Sequence, residues 1–184
     1  MLTITCHGGV AEIGSNKIMI EDNGSALMLD FGKSFAAANM YFDEFLQPRT
    51  NSCLRDLLSL GVLPVIQGIY RDDLLRHAGA WPVLSGSGLP ADAKRLFSCE
   101  IESYGEYSSK HGSRLDGILL SHGHADHCQY LAFVDQRIPV YCSSETRAIL
   151  RAAQEIGRGT YDSDICECPT RTLGFNGDKS TFPG

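Results

Sequence analysis

Apolar and polar positions change period several times along the chain, and each change marks an element. Residues 2–6, "LTITC", alternate like a strand, and the paired glycines of "HGGV" follow as a turn. "NKIMIED" and "SALMLDFG" are short runs rich in Ile, Leu and Met on either side of Asn23-Gly24. Asn-Gly between two such runs predicts a hairpin, because both residues accept the positive φ of a tight turn. The chain is expected to open as a small antiparallel β unit whose last strand ends at Asp30.

From Lys33 to about Arg114 the spacing becomes helical. "FAAANMYFDEFL", "CLRDLLSLG" and "DDLLRHAG" are helix candidates, the second closed by Gly61 as a C-cap. "AWPVLSGSGLP" between them and the next element reads as loop. Regular α/β order then returns. "DGILLS" predicts a buried strand, "ADHCQYLAFVD" a helix, "IPVYCS" a strand, and "SSETRAILRAAQEIG" a helix opened by Ser143 or Ser144. After Gly159 the chain is polar and turn-rich and is expected to form no closing element.

Composition narrows the class. The 184 residues suit one domain, with 43% hydrophobic and 21% charged residues and a mean hydropathy of -0.11, as in a soluble globular protein. No apolar run approaches a membrane span of roughly 18 residues, and the start "MLTITCHGGV" lacks the features of a secretory signal. The expectation is a cytoplasmic protein without a membrane partner. Seven cysteines at irregular spacing suit reduced thiols better than a disulfide framework. The net charge of -6 argues against broad adhesion to nucleic acid, although a metal centre carries its own positive charge to a phosphate.

The candidate chemistry lies in "SHGHADHC", residues 121–128, where His122, His124, Asp126 and His127 fall between a predicted strand and a predicted helix. A loop at a strand end holds side chains firmly, and α/β proteins place functional residues there. His122 and His124, two apart on extended chain, point to one side. Asp126 and His127, at the helix start, can point to a neighbouring position, which suits two adjacent metal ions. Imidazole and carboxylate both bind zinc, and two metals about 3.5–4 Å apart can share and acidify a water. The plain alternative is a histidine-rich surface turn with Asp126 capping the helix. Four ligand-type residues in six positions behind a buried strand favour the metal site.

"HGHADH" within "GILLSHGHADHC" resembles the HxHxDH motif of the metallo-β-lactamase superfamily, hydrolases with an αββα sandwich and usually two zinc ions. The resemblance implies that His122 and His124 bind one metal and that Asp126 and His127 bind the other; as a metal-bound carboxylate, Asp126 could also orient the attacking water. "GGVAEIGSNKIMIE" is similar to the opening of ribonuclease J and related RNA-processing members. "ALMLDFG" resembles the strand whose terminal aspartate, here Asp30, orients metal ligands from behind. Manganese or iron would also suit these ligands.

Two departures accompany the resemblance. Asp30 and His122 stand far apart in sequence, so residues 33–114 are expected to be a helical insertion and 115–160 the strand-helix-strand-helix unit bearing the motif. Second, no histidine follows His127, and Asp135, Asp162, Asp164, Glu167 and Asp178 stand in no family context. The expectation is therefore the first half of a sandwich, the N-terminal part of a longer protein, with the 184-residue chain inactive or weak by itself. "CEC" at Cys166 and Cys168 is a weak second metal signal.

The leading functional expectation is a phosphodiesterase or ribonuclease-type enzyme that uses a water activated by two metals. A thioester or lactone hydrolase acting on a small ester, or a non-catalytic metal-binding module, are the alternatives, since one fold and ligand set host many chemistries. A homo-oligomer is expected only as a base rate.

Overall fold

The computed structural model describes residues 1–42, 53–76, 101–157, 161–170, 174–176 and 179–181. Five strands form one sheet in the order β1-β2-β3-β4-β5: β1 (Thr3–Gly8), β2 (Lys17–Asp22), β3 (Ser25–Leu29), β4 (Gly117–Leu119) and β5 (Val140–Tyr141). The first three are antiparallel neighbours, and β4 and β5 join in parallel. Asp22 faces Ser25 across the hairpin, and Asn23 and Gly24 both have positive φ, 47° and 89°. This is the turn that the Asn-Gly pair predicts.

The β3-to-β4 connection carries α1 (Phe35–Tyr41), α2 (Cys53–Ser59), α3 (Asp72–Arg76) and α4 (Tyr104–His111). The predicted loop from Ala80 to Pro90 and residues 43–46 of the first predicted helix lie outside the described residues. Gly61, with φ of 70°, closes α2, and the amides of Val62 and Leu63 both donate to the Leu57 carbonyl. α4 has a capping box, with the Ser103 hydroxyl and the Glu106 carboxylate each accepting the other's backbone N–H. After the motif come α5 (Ala125–Cys128) and α6 (Ser144–Ile156), the latter N-capped by Ser143 Oγ on Thr146 N–H. None of the described helices is long and apolar enough to cross a membrane.

The pleat gives the sheet two different faces. Met19, Met28 and Ile118 are in register and buried, packed with Leu54, Leu57 and Leu58 of α2, Leu74 of α3 and Leu150 of α6. Each fully buried side chain of this size contributes about 1.5–3 kcal/mol. On the opposite face, Ile4, Ile20 and Leu27 form one cross-strand row, and Cys6, Ile18, Leu29, Leu119 and Tyr141 another. These side chains are half-buried or exposed, Tyr141 at 56% and Ile4 at 61%.

Two elements differ from the sequence expectation. The predicted helix over residues 125–135 is α-helical only to Cys128 and continues as a 3-10 turn, Gln129–Phe133. The cause lies outside the helix. The carbonyls of Ala125, Asp126 and His127 accept from the amides of Lys33, Asn16 and Phe31, and Tyr130 N–H donates to Phe31 O instead of to its own helix. The sequence after Gly159 predicts no closing element, yet Gly174–Asn176 (β6) pairs with Lys179–Thr181 (β7) as a separate hairpin. Asn176-Gly177 repeats the turn signal of Asn23-Gly24, but the flanking residues are too polar to read as strands.

The difference between the faces can be measured on adjacent residues of β4. In the 184-residue chain, Ile118→Ala should cost about 2–5 kcal/mol of unfolding free energy in a denaturant titration, the range for a truncated core aliphatic. Leu119→Ala, on the open face, should cost less than about half as much.

Candidate metal centre

β3 ends at Leu29, and the chain turns at Asp30, whose φ of 56° is uncommon for any residue but glycine. The turn aims a buried carboxylate at the end of β4. Asp30 Oδ1 accepts the Ser121 backbone N–H at 2.7 Å, and Oδ2 accepts the Ser121 hydroxyl at 2.8 Å and His127 Nδ1–H at 2.7 Å. One carboxylate thus ties the strand end, the loop and the start of α5 together.

These contacts settle the tautomers. An ionised carboxylate only accepts, so His127 carries its proton on Nδ1 and offers a lone pair on Nε2. The Asn16 amide agrees, with Nδ2 lying 3.2 Å from His127 Nε2. The Ser121 hydroxyl proton is committed to Asp30, so its oxygen accepts from His122 Nδ1 at 3.0 Å, which frees His122 Nε2. His122 Nε2 then lies 3.0 Å from His124 Nδ1, and Asp126 Oδ2 lies 3.5 Å from His127 Nε2. Ligand atoms about 2.0–2.1 Å from one tetrahedral ion stand about 3.3 Å from each other. Both pairs have the spacing of adjacent ligands on one ion, and the imidazole rings of His122 and His127 are 4.0 Å apart. Among the described residues, no group of three or more His, Cys, Asp or Glu side chains is arranged to hold a metal ion. Each pair could offer two ligand atoms to an ion.

The connection between β1 and β2 closes over this cluster. Gly9, Ala11, Gly14 and Ser15 all have positive φ. Glu12, which sequence reading placed in a motif without a role, pins the loop: Oε1 accepts Gly9 N–H, and Oε2 accepts the Ser34 hydroxyl, whose oxygen caps α1. Gly14 is needed for close approach, because a Cβ there would lie 2.7 Å from Asp126 Cβ. At Gly32 a Cβ would lie 1.6 Å from the Asp126 carbonyl oxygen. Ser15 N–H donates to Lys33 O, and Gly32 N–H donates to Asn16 O. Ser121, Asn16, Lys17 and Gly32 had no role in the sequence reading. The only signal for them was their position beside the glycine-rich opening and the histidine motif.

Lys17 is buried, and its Nζ donates to Ser15 O at 3.0 Å and to Ser15 Oγ at 2.7 Å. Burial pushes its ammonium down to about 8, opposed by the Glu12 charge. Below that pH the folded chain carries a charge it would rather not bury. Between about 8 and the ordinary value near 10.5, the unfolded chain keeps the proton that the folded chain releases.

The other acidic candidates stand apart from the cluster. Asp135 is occupied by Arg137, Asp162 accepts from Gln129 at 2.7 Å, Asp164 is buried, and Glu167 lies 3.7 Å from Arg151. His111 lies tilted against the Tyr107 ring, and among the described residues half-buried His7 has no partner for its Nε2. His77 and Asp178 lie outside the described residues. Cys166 and Cys168 line a separate cavity of about 320 Å³ with Cys142, Arg147 and Leu150. Burial pushes the Cys168 thiol up to about 11, away from the thiolate a metal needs.

Two outcomes follow. Gly32→Ala should cost about 3 kcal/mol or more in a denaturant titration, since a backbone carbonyl blocks the added methyl group. The unfolding free energy of the wild type relative to Lys17→Met should rise by about 3 kcal/mol from pH 7.5 to 10.5. A flat or falling difference contradicts the burial of a charged Lys17.

Comparison with known proteins meets this geometry from another side. A search of curated proteins returns no match. A solved structure titled as a protein of unknown function from Enterococcus faecalis V583 has 21% sequence identity and a TM-score of 0.52. The match covers 85% of this chain and 29% of that one, so the likeness is one of fold, to part of a much longer protein. Residues 104–182, less than half of the chain, match the family described as "Beta-lactamase superfamily domain". That stretch contains the whole histidine motif, and the match supports the beta-lactamase superfamily and suggests a hydrolase.

Proposed function

We propose that this chain carries half of a two-metal hydrolytic centre in a metallo-β-lactamase sandwich of the ribonuclease J-like branch, acting on phosphodiesters. The observation that carries the reading is the Asp30–His127 pair: a buried carboxylate holds the proton on Nδ1 and leaves Nε2 as a lone pair beside Asp126. A carboxylate behind an imidazole fixes the ring and raises its basicity as a ligand. His122 Nε2 and His124 Nδ1 would hold one zinc ion, and Asp126 with His127 Nε2 the other. Metal ions, when bound, supply Lewis acidity for substrate oxygens and lower the pKa of water.

The chain's own groups have distinct tasks in this reading. Ser121 Oγ accepts a hydrogen bond from His122 Nδ1–H and so keeps the Nε2 lone pair free. The partly exposed Asp126 carboxylate orients an attacking water and accepts its proton. The RNA-processing branch is favoured by the part that the glycine-rich opening plays at the cluster, where Asn16 meets His127 and Gly14 meets Asp126. The sandwich is favoured by the two apolar rows on the open sheet face, which suit a second sheet packed about 10 Å away. Two ligands per ion are too few for a closed site, so the 184-residue chain alone is inactive or weak.

The test is hydrolysis of a phosphodiester, bis(p-nitrophenyl) phosphate, against a thioester panel by the full-length protein loaded with zinc or manganese. Phosphodiester cleavage that falls at least about 100-fold in His122→Ala and His124→Ala supports the reading, since changes behind the ligands alone cost 10–100-fold. Thioester turnover without phosphodiester turnover moves the substrate to the small esters. Activity unchanged in both variants removes the metal centre.

A further inference from the structure

Lys17 is among the most deeply buried side chains described, yet among the described residues no carboxylate hydrogen-bonds to it, and Glu12 acts on it only as a nearby charge. An ammonium out of water is costly, and an unbranched apolar side chain would fill the same space. Its three protons face a short list of partners. Two acceptors belong to Ser15, and the rings of Phe31 and Tyr130 lie 6.0 and 5.7 Å away, within reach of a cation–π attraction.

Those partners belong to the three segments that build the centre. Ser15 follows Gly14, which packs on Asp126, and precedes Asn16, whose amide meets His127 Nε2. Phe31 follows Asp30 and gives its amide to His127 O, while Tyr130 N–H returns to Phe31 O. Ser15 has φ of 64°, which serine seldom adopts unaided. Gly8 leaves the space for this turn, since a Cβ there would lie 2.3 Å from Ser15 O and 2.6 Å from Ser15 Oγ. The register between β1 and β2 shifts at the same place.

We propose that Lys17 is a positioning residue: by holding Ser15 O and Oγ it fixes the left-handed turn that sets Asn16 on His127 and Gly14 on Asp126. It touches no substrate. It acts on the Asp126–His127 pair and leaves His122–His124 to Ser121 and Asp30. The consequence for metal binding rests on the hydrolase reading above, whereas the placement of Asn16 does not.

The experiment compares the full chain with Lys17→Met by long-range ¹H–¹⁵N spectra of the histidines without metal, then by zinc titration against a chelator. In the wild type, His127 should be the Nδ1–H tautomer with a hydrogen-bonded Nε2. Lys17→Met should move His127 Nε2 toward the value of a nitrogen with no donor and leave His122 and His124 in place. Zinc must displace the Asn16 amide from Nε2, so one zinc equivalent should then bind at least as tightly as in the wild type and the other unchanged. An unmoved Nε2 resonance overturns the proposal, as does an equal disturbance of all three histidines. If the wild type takes up no zinc, the hydrolase reading fails and the Nε2 shift still decides the role of Lys17. Should Lys17→Met not fold, Ser15→Ala removes the 2.7 Å bond and should move the same resonance in the same direction. No movement there overturns the proposal too.

Discussion

The carboxylate of Asp30 is the constraint on which the rest depends. It ends β3 in a left-handed turn and receives three protons, from the Ser121 amide, the Ser121 hydroxyl and His127 Nδ1. Those three come from Ser121 just after β4 and from His127 in α5, so the parallel pairing of β3 with β4 and the orientation of the histidines are one arrangement. The backbone continues the same connection. Amides of Asn16, Phe31 and Lys33 take the carbonyls of Asp126, His127 and Ala125, which shortens α5 and holds its first turn against two other segments. Side chains held by packing and by a second layer of hydrogen bonds are the condition for a precise site.

Much of this was legible in the sequence. The Asn23-Gly24 hairpin, a serine cap for α6 at Ser143 or Ser144 and Gly61 at the end of α2 follow from local rules of turns and caps, and the structure uses Ser143. The position of Asp30 at a strand end and of the histidines after a buried strand follows from the pattern of apolar runs. The shortness of α5 was not legible, because helical spacing reports a preference and not the loss of carbonyls to distant amides. The roles of Asn16, Ser121 and Lys17 were equally hidden, since each is defined by partners reached through the fold.

The open sheet face and the paired ligands make the same point from opposite sides. One face of the sheet is packed by α2, α3 and α6, and the other presents aligned apolar rows. The histidine cluster likewise presents two pairs of ligand-type atoms and, among the described residues, no closed group of three. In the proposed sandwich both features are completed together, because the surface that covers the rows would also bring groups to the rim where the pairs lie. Residues 104–182 match the superfamily model, and the fold likeness covers 29% of a longer chain.

The central claim is that Asp30 prepares His127 to bind a metal ion. Zinc affinity of the full-length protein with Asp30→Asn, measured by competition with a chelator, tests it most directly. Asparagine keeps the shape but removes the charge, and the account predicts affinity lower by about 10–100-fold with the fold retained. Unchanged affinity in a folded Asp30→Asn protein would contradict it.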